Sequence, residues 1–239
     1  MAPTAWAVAV AGFCATAARA GDAPILSPVT TMQEADLVDI RSRIPDIDLD
    51  IRYAGNHNFV GVPVEGYGAP QCWLKPEAAD ALARVEAALR VHRFRLRVFD
   101  CYRPARAVAQ FVRWMADPAD LRTKDEFYPD LDKSQLAGTY IAPVSGHSRG
   151  ATVDLTLLQC DAQGAGCSPL DMGTEFDFFG PRAHTDSPDV ASAQRAHRHL
   201  LRSAMQAQGF VNLPEEWWHY RLEPEPSPRT YYDVPIATP

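Results

Sequence analysis

No run of lysine and arginine occurs in these 239 residues, and acidic side chains outnumber basic ones 30 to 23, for a formal net charge of −7. A phosphate backbone or an anionic lipid surface would find no basic patch to hold it, so nucleic acid is not an expected partner. Beyond the first twenty residues no apolar stretch approaches the roughly 20 residues of a membrane span. Nothing repeats, no low-complexity linker divides the chain, and no Cys-x-x-Cys pair offers the thiolate framework of a structural zinc site. What remains is one chain, 46% hydrophobic, long enough to bury a substantial core.

The opening segment, MAPTAWAVAVAGFCATAARA, is small and apolar, and it ends on Ala18-Arg19-Ala20. It reads as a secretory signal cleaved after Ala20, although its n-region has no Lys or Arg. The mature domain is then 21–239, delivered across the inner membrane and expected in the periplasm. Cleavage removes Cys14 and leaves Cys72, Cys101, Cys160 and Cys167, an even set that suits an oxidising compartment. Of the three possible pairings, proximity across the turn-forming DAQGAG favours Cys160 with Cys167, and hence Cys72 with Cys101.

Residues 22–48 are rich in Pro, Asp and Ser and read as an irregular entry, after which IDLDIRYAGNHNFVG starts as a strand and is broken by Asn58 and Gly61. KPEAADALARVEAALRVHR has Pro76 at the first turn, acids early, bases late, and Leu82, Val85 and Leu89 at helical spacing. FRLRVFDCY alternates with period two and reads as a half-buried strand. A helix follows Pro104 and stops near Pro118. GTYIAPV and GATVDLTLLQC read as strands, 189–210 as a helix closed by Gly209, and EWWHYRLEP as a last strand. The order is not a regular βαβ alternation, which predicts a single α+β domain with a central antiparallel sheet and flanking helices.

The chemistry gathers around SGHSRGATVDLTL. His147 and Asp154 lie seven residues apart, an odd spacing that would place them on opposite faces of a straight strand. Gly150 allows the bend that puts His147 in a loop and Asp154 on the strand. An ionised aspartate inside ATVDLTL is costly to bury without a cation or donors. His219 offers a third ligand, and a catalytic zinc takes three from the protein. Glu216, in the turn after Pro214, is the candidate general base, and Arg103 in FDCYRP the candidate partner of a developing oxyanion. Trp217 and Trp218 adjoin the ligand; one is expected in the core and the other on the cleft wall, with the core as the default for either. His57, His92, His184, His197 and His199 match no ligand position.

Together SGHSRGATVDLTL, EEWWHY, FDCYRP and MGTEFDFF resemble the D-alanyl-D-alanine dipeptidases of the vancomycin-resistance type, zinc enzymes within the wider group of D-Ala-D-Ala metallopeptidases and hedgehog-like folds. The likeness runs from about Tyr53 to Tyr232. It implies one zinc on His147, Asp154 and His219, catalysis by Glu216 and Arg103, and hydrolysis of free D-Ala-D-Ala to two D-alanines. It further implies that Asp177 with Tyr53 holds the substrate ammonium, that Ser145 lies near its carboxylate, and that Asp100 orients Arg103. Cys101 departs from a pattern that can carry glycine there. Two rivals stand beside this reading: a D,D-carboxypeptidase or endopeptidase of the same superfamily, and a zinc-stabilised binding module without catalysis.

Overall fold

A computed structural model describes residues 23–164 and 166–237. The expected signal segment and its cleavage point lie outside the described residues. In chain order the strands are β1 (Ile25–Leu26), β2 (Val38–Asp39), β3 (Asp48–Leu49), β4 (Trp73–Leu74), β5 (Phe94–Asp100), β6 (Thr152–Cys160), β7 (Cys167–Pro169), β8 (Phe210–Asn212), β9 (His219–Leu222) and β10 (Thr230–Tyr231). The α-helices are α1 (Pro76–Arg90), α2 (Ala105–Met115), α3 (Lys124–Phe127) and α4 (Ser192–Gln206).

The main sheet runs β3-β5-β6-β9-β8, with β7 added against β6. All of its pairings are antiparallel except the edge pair β3 with β5, so the sheet is mixed rather than wholly antiparallel. Along β6, Val153, Leu155 and Leu157 alternate with Asp154 and Thr156. The apolar set is in register with Leu96 and Val98 of β5 and belongs to the core that α1 and α4 cover. The polar set is left for the opposite face, and all of these β6 side chains are buried.

Helix α1 follows its sequence reading closely. Pro76 stands in its first turn, and Ala78, Ala79, Leu82, Val85 and Leu89 form its buried face. Glu86 is buried on the same helix, where it accepts hydrogen bonds from the Leu96 amide and the Arg90 and Arg95 guanidinium groups. Helix α4 is shorter than its sequence reading: it runs Ser192–Gln206 with Ala207 as its C-cap, and Gly209, left-handed at φ +89°, follows two residues later, where the chain turns into β8.

Two readings fail. GTYIAPV forms no strand; one isolated bridge, Ala137 to Ile141, marks a loop. Its apolar residues are explained by a cavity they line, not by a sheet. The entry segment is also less irregular than its composition suggested, because Val38–Asp39 pairs with Trp73–Leu74. Both expected disulfides are present, Cys72–Cys101 and Cys160–Cys167.

Candidate active site

Three adjacent strands set up the site. Asp100 of β5 is registered opposite Asp154 of β6, and Asp154 opposite His219 of β9. Residues directly opposite across a sheet share a face, so these side chains form a row. The pairing shifts between Val98 and Asp100, an irregularity that brings Asp100 into that row. His147 joins from a 3₁₀ turn, Gly146–Arg149, whose last amide-bearing cap is Gly150 at φ +80°. A Cβ at Gly150 would lie 2.5 Å from Leu37 Cδ2, so both the bend and the packing demand glycine.

The nitrogen and oxygen atoms of His147, Asp154 and His219 lie within 4.8 Å of one another, and among the described residues they are the one such group of potential ligands. His147 Nε2 is 3.3 Å from Asp154 Oδ2 and 3.2 Å from His219 Nδ1. His219 Nδ1 is 3.0 Å from Asp154 Oδ1, yet that buried oxygen has no hydrogen-bond partner. Two ring nitrogens and an unsatisfied carboxylate oxygen converging on one point make a donor set suited to a cation of zinc's kind. The residues therefore fit the metal that the sequence led us to expect. His147 Nδ1 donates to the Cys101 carbonyl at 2.7 Å, which leaves Nε2 as the free lone pair facing the group.

Electrostatics follow from burial. Burial works against ionisation of Asp154, but the two imidazoles outweigh it and hold its carboxyl well below the usual carboxylate range. Burial pushes the His147 imidazole down; on His219 burial is outweighed by the Asp154 carboxylate, which raises it. Glu216 lies 3.5 Å from His219 Nδ1, and burial pushes its carboxyl up to about 7, in the range of a competent general base. It sits in a turn closed by Asn212, whose amide donates to the Glu216 and His219 carbonyls at 3.0 Å each.

Arg103 reaches across the row. Its Nε donates to Asp100 Oδ2 at 2.9 Å, and Nη2 stands 3.5 Å from Asp154 Oδ2. The guanidinium lies over the rings of Tyr53 and Phe111 at 5.0 and 5.1 Å. Asp100 accepts in addition from the Tyr67 hydroxyl at 2.6 Å, a partner no feature of the sequence announced. Asp177 sits deep in the same cleft and accepts from Tyr53 at 3.1 Å, while its other oxygen is buried without a donor. Burial and the nearby Asp154 push the Asp177 carboxyl up, and its backbone is left-handed at φ 63°.

His147, Asp154, His219, Glu216, Arg103, Tyr53, Phe111 and Asp177 line a single cavity of about 200 Å³, joined by Ser145, Tyr140, Ile141, Val144 and Phe179. That is below the roughly 300–1,000 Å³ of sites for drug-sized molecules, so the cavity suits a small ligand. Ser145 caps the 3₁₀ turn by accepting from the His147 amide. Neither tryptophan walls the cavity; both take the default core placement, Trp217 and Trp218 being buried, and Trp217 Nε1 is engaged by Thr174. His57, His197 and His199 pair elsewhere, with Glu126, the Asp171 carbonyl and Asp186.

A family model described as D-ala-D-ala dipeptidase matches residues 33–237. A D-alanyl-D-alanine dipeptidase of Streptomyces coelicolor is 41% identical over 84% of this chain and 98% of its own length. Proteins of the same description from Enterococcus faecium and Escherichia coli are 36% and 33% identical, over 78% of this chain and 91% and 84% of theirs.

Proposed function

Taking as premise that the chain belongs to the D-Ala-D-Ala dipeptidase family of metallopeptidases, we propose that it hydrolyses the free dipeptide D-alanyl-D-alanine to two D-alanines, using zinc held by His147, Asp154 and His219. The observation that carries this reading is the shared cavity: the ligand group, Glu216, Arg103 and a buried acceptor on Asp177 all face one small space. Zinc bound there would polarise the scissile carbonyl and make a neighbouring water easier to ionise.

The chain's own residues supply the rest. Glu216 takes a proton from the attacking water as its oxygen bonds to the carbonyl carbon. As the C–N bond breaks, the same carboxyl gives that proton to the leaving nitrogen, so the residue ends as it began. Arg103, fixed by Asp100 and unable to lose its charge, offsets the negative charge that develops on the carbonyl oxygen. Asp177, braced by Tyr53, takes the ammonium of the amino-terminal residue, and Ser145 lies where the carboxylate would rest. Asp177 makes the amino end of the cavity a closed, acidic stop that an incoming ammonium can pair with, which favours a free dipeptide over the acylated stems cut by a D,D-carboxypeptidase or endopeptidase.

The setting fits a secreted enzyme acting in the periplasm on peptidoglycan precursors or their breakdown products. Two disulfides support that reading, since such bonds persist in oxidising compartments. The decisive experiment replaces Glu216 with Ala and measures D-alanine release alongside metal content. Turnover should fall roughly 10²–10⁴-fold with about one zinc per chain still bound. Near-normal turnover would refute the assignment, and a zinc-loaded parent protein with no activity would favour the binding-module reading.

A further inference from the structure

Helix α4 carries an arginine that the site does not use. Arg198 is fully buried, and no carboxylate pairs with it among the described residues. Its guanidinium instead donates to three backbone carbonyls: Nε to Met172 at 2.7 Å, and Nη1 to Arg182 at 2.9 Å and to His184 at 2.6 Å. A cation taken out of water with only neutral acceptors is expensive. Such a placement needs a compensating role, and the identity of the acceptors points to one.

Residues 170–191, between β7 and α4, contain no regular element except one short 3₁₀ turn, Pro181–Ala183. Asp177 lies within this segment, and the clasped carbonyls of Met172 and Arg182 stand five residues before it and five after it. The guanidinium thus draws two limbs of the loop together with Asp177 at the apex. Neighbouring bonds reinforce the closure. Arg182 Nη2 donates to the Gly173 carbonyl, Thr174 Oγ1 accepts from Trp217 Nε1, and the Trp217 amide donates to the Ala183 carbonyl. Trp217 in turn adjoins Glu216, and the Arg198 guanidinium lies 6.0 Å from its ring. At the apex, Asp177 keeps a left-handed backbone at φ 63°, a conformation that persists in a non-glycine residue only when its surroundings impose it.

We propose that Arg198 is a positioning residue for the amino-end pocket: by clasping the carbonyls that flank Asp177, it fixes the carboxylate that receives the substrate ammonium. The inference rests on the reading of Asp177 given above. Arg198 touches no substrate and acts through the loop alone. Its contribution belongs to ammonium recognition, separate from metal binding and from proton transfer by Glu216.

The test compares steady-state kinetics of the zinc-loaded parent with Arg198→Lys, Arg198→Met, Asp177→Ala and the Asp177→Ala/Arg198→Lys double variant. Two substrates are used: D-Ala-D-Ala and its analogue with a hydroxyl in place of the ammonium. Lysine keeps a buried cation but cannot span the two limbs as the planar fork does, and it carries the test if the methionine variant does not fold. Arg198→Lys should raise KM for D-Ala-D-Ala by roughly 10- to 100-fold, in line with the cost of a small misplacement. It should change kcat by less than about threefold, leave zinc content intact, and leave the hydroxyl analogue almost unaffected. In the double variant the lysine change should add little to the Asp177→Ala effect. Equal losses on both substrates, or a fall in kcat alone, would overturn the proposal by making Arg198 a general stabiliser. If instead Asp177→Ala leaves discrimination between the two substrates unchanged, the fault lies in the reading of Asp177, and the two failures are distinct.

Discussion

Glu216 shows how burial, with the Asp154 carboxylate nearby, can prepare a side chain for chemistry. A carboxyl whose folded-state pKa exceeds its unfolded value costs stability as pH rises between the two, here from 4.5 to about 7. Protein stripped of metal by a chelator should therefore be stabilised by Glu216→Gln at pH 8, with the difference vanishing near pH 4.5. Thermal melts at both values check this, and equal melting shifts across the range would contradict the buried state of the carboxyl. Arg103 illustrates the opposite case, a charge the protein keeps. Its planar fork meets Asp100 through Nε and Nη2 while stacking on Tyr53 and Phe111, and lysine can do neither well. Arg103→Lys should lower kcat roughly 10²-fold with little change in KM, as measured by D-alanine release at saturating dipeptide.

At the scale of elements, the parts that could be read in advance are those whose sequence pattern and environment agree. Helix α1 announced itself through Pro76, its acid-to-base gradient and the spacing of Leu82, Val85 and Leu89; strand β5 did so by alternation. The metal group was legible because Asp154 is an acid in an apolar strand and Gly150 breaks the register between it and His147. What could not be read is equally physical. GTYIAPV has the composition of a strand because Tyr140, Ile141 and Val144 line the cavity, and periodicity does not separate a ligand pocket from a sheet face. Tyr67 and the Arg198 clasp are contacts between segments far apart in the chain, with no local signature. The Gly150 bend carries its own prediction. Gly150→Ala must accommodate a Cβ against Leu37 at a left-handed position, costing about 1–3 kcal/mol. It should also displace His147, so zinc should dissociate more readily in a competition with a colorimetric chelator; unchanged metal retention would show that the turn does not govern the ligand.

Across the whole molecule, the proposed ligands come from the 146–149 turn, β6 and β9, so a bound cation would tie distant parts of one core together. A ligand that binds only the folded state stabilises it by about 4 kcal/mol at a thousandfold excess over its Kd. Adding EDTA should thus lower the melting temperature by several degrees, and His147→Ala should abolish that shift. A shift that survives the substitution would place the metal elsewhere. The two disulfides act on the same scale, with Cys72–Cys101 joining the residue before β4 to the residue after β5, two positions from Arg103.

The row of Asp100, Asp154 and His219 ties the origin of the site to the pairing of the sheet. Neighbouring strands lie about 4.8 Å apart, so the sheet acts as a ruler that spaces the acid partner of Arg103 and the carboxylate and imidazole proposed to hold the metal. A slip of one residue between β5, β6 and β9 would turn Asp154 into the apolar side of the core and bring Val153 or Leu155 to the cleft. A one-residue slip therefore cannot misassemble the centre while leaving the core intact: the error that destroys the row also buries a charge among the aliphatic side chains under α1 and α4. Correct catalysis and correct folding are selected by the same hydrogen-bond register.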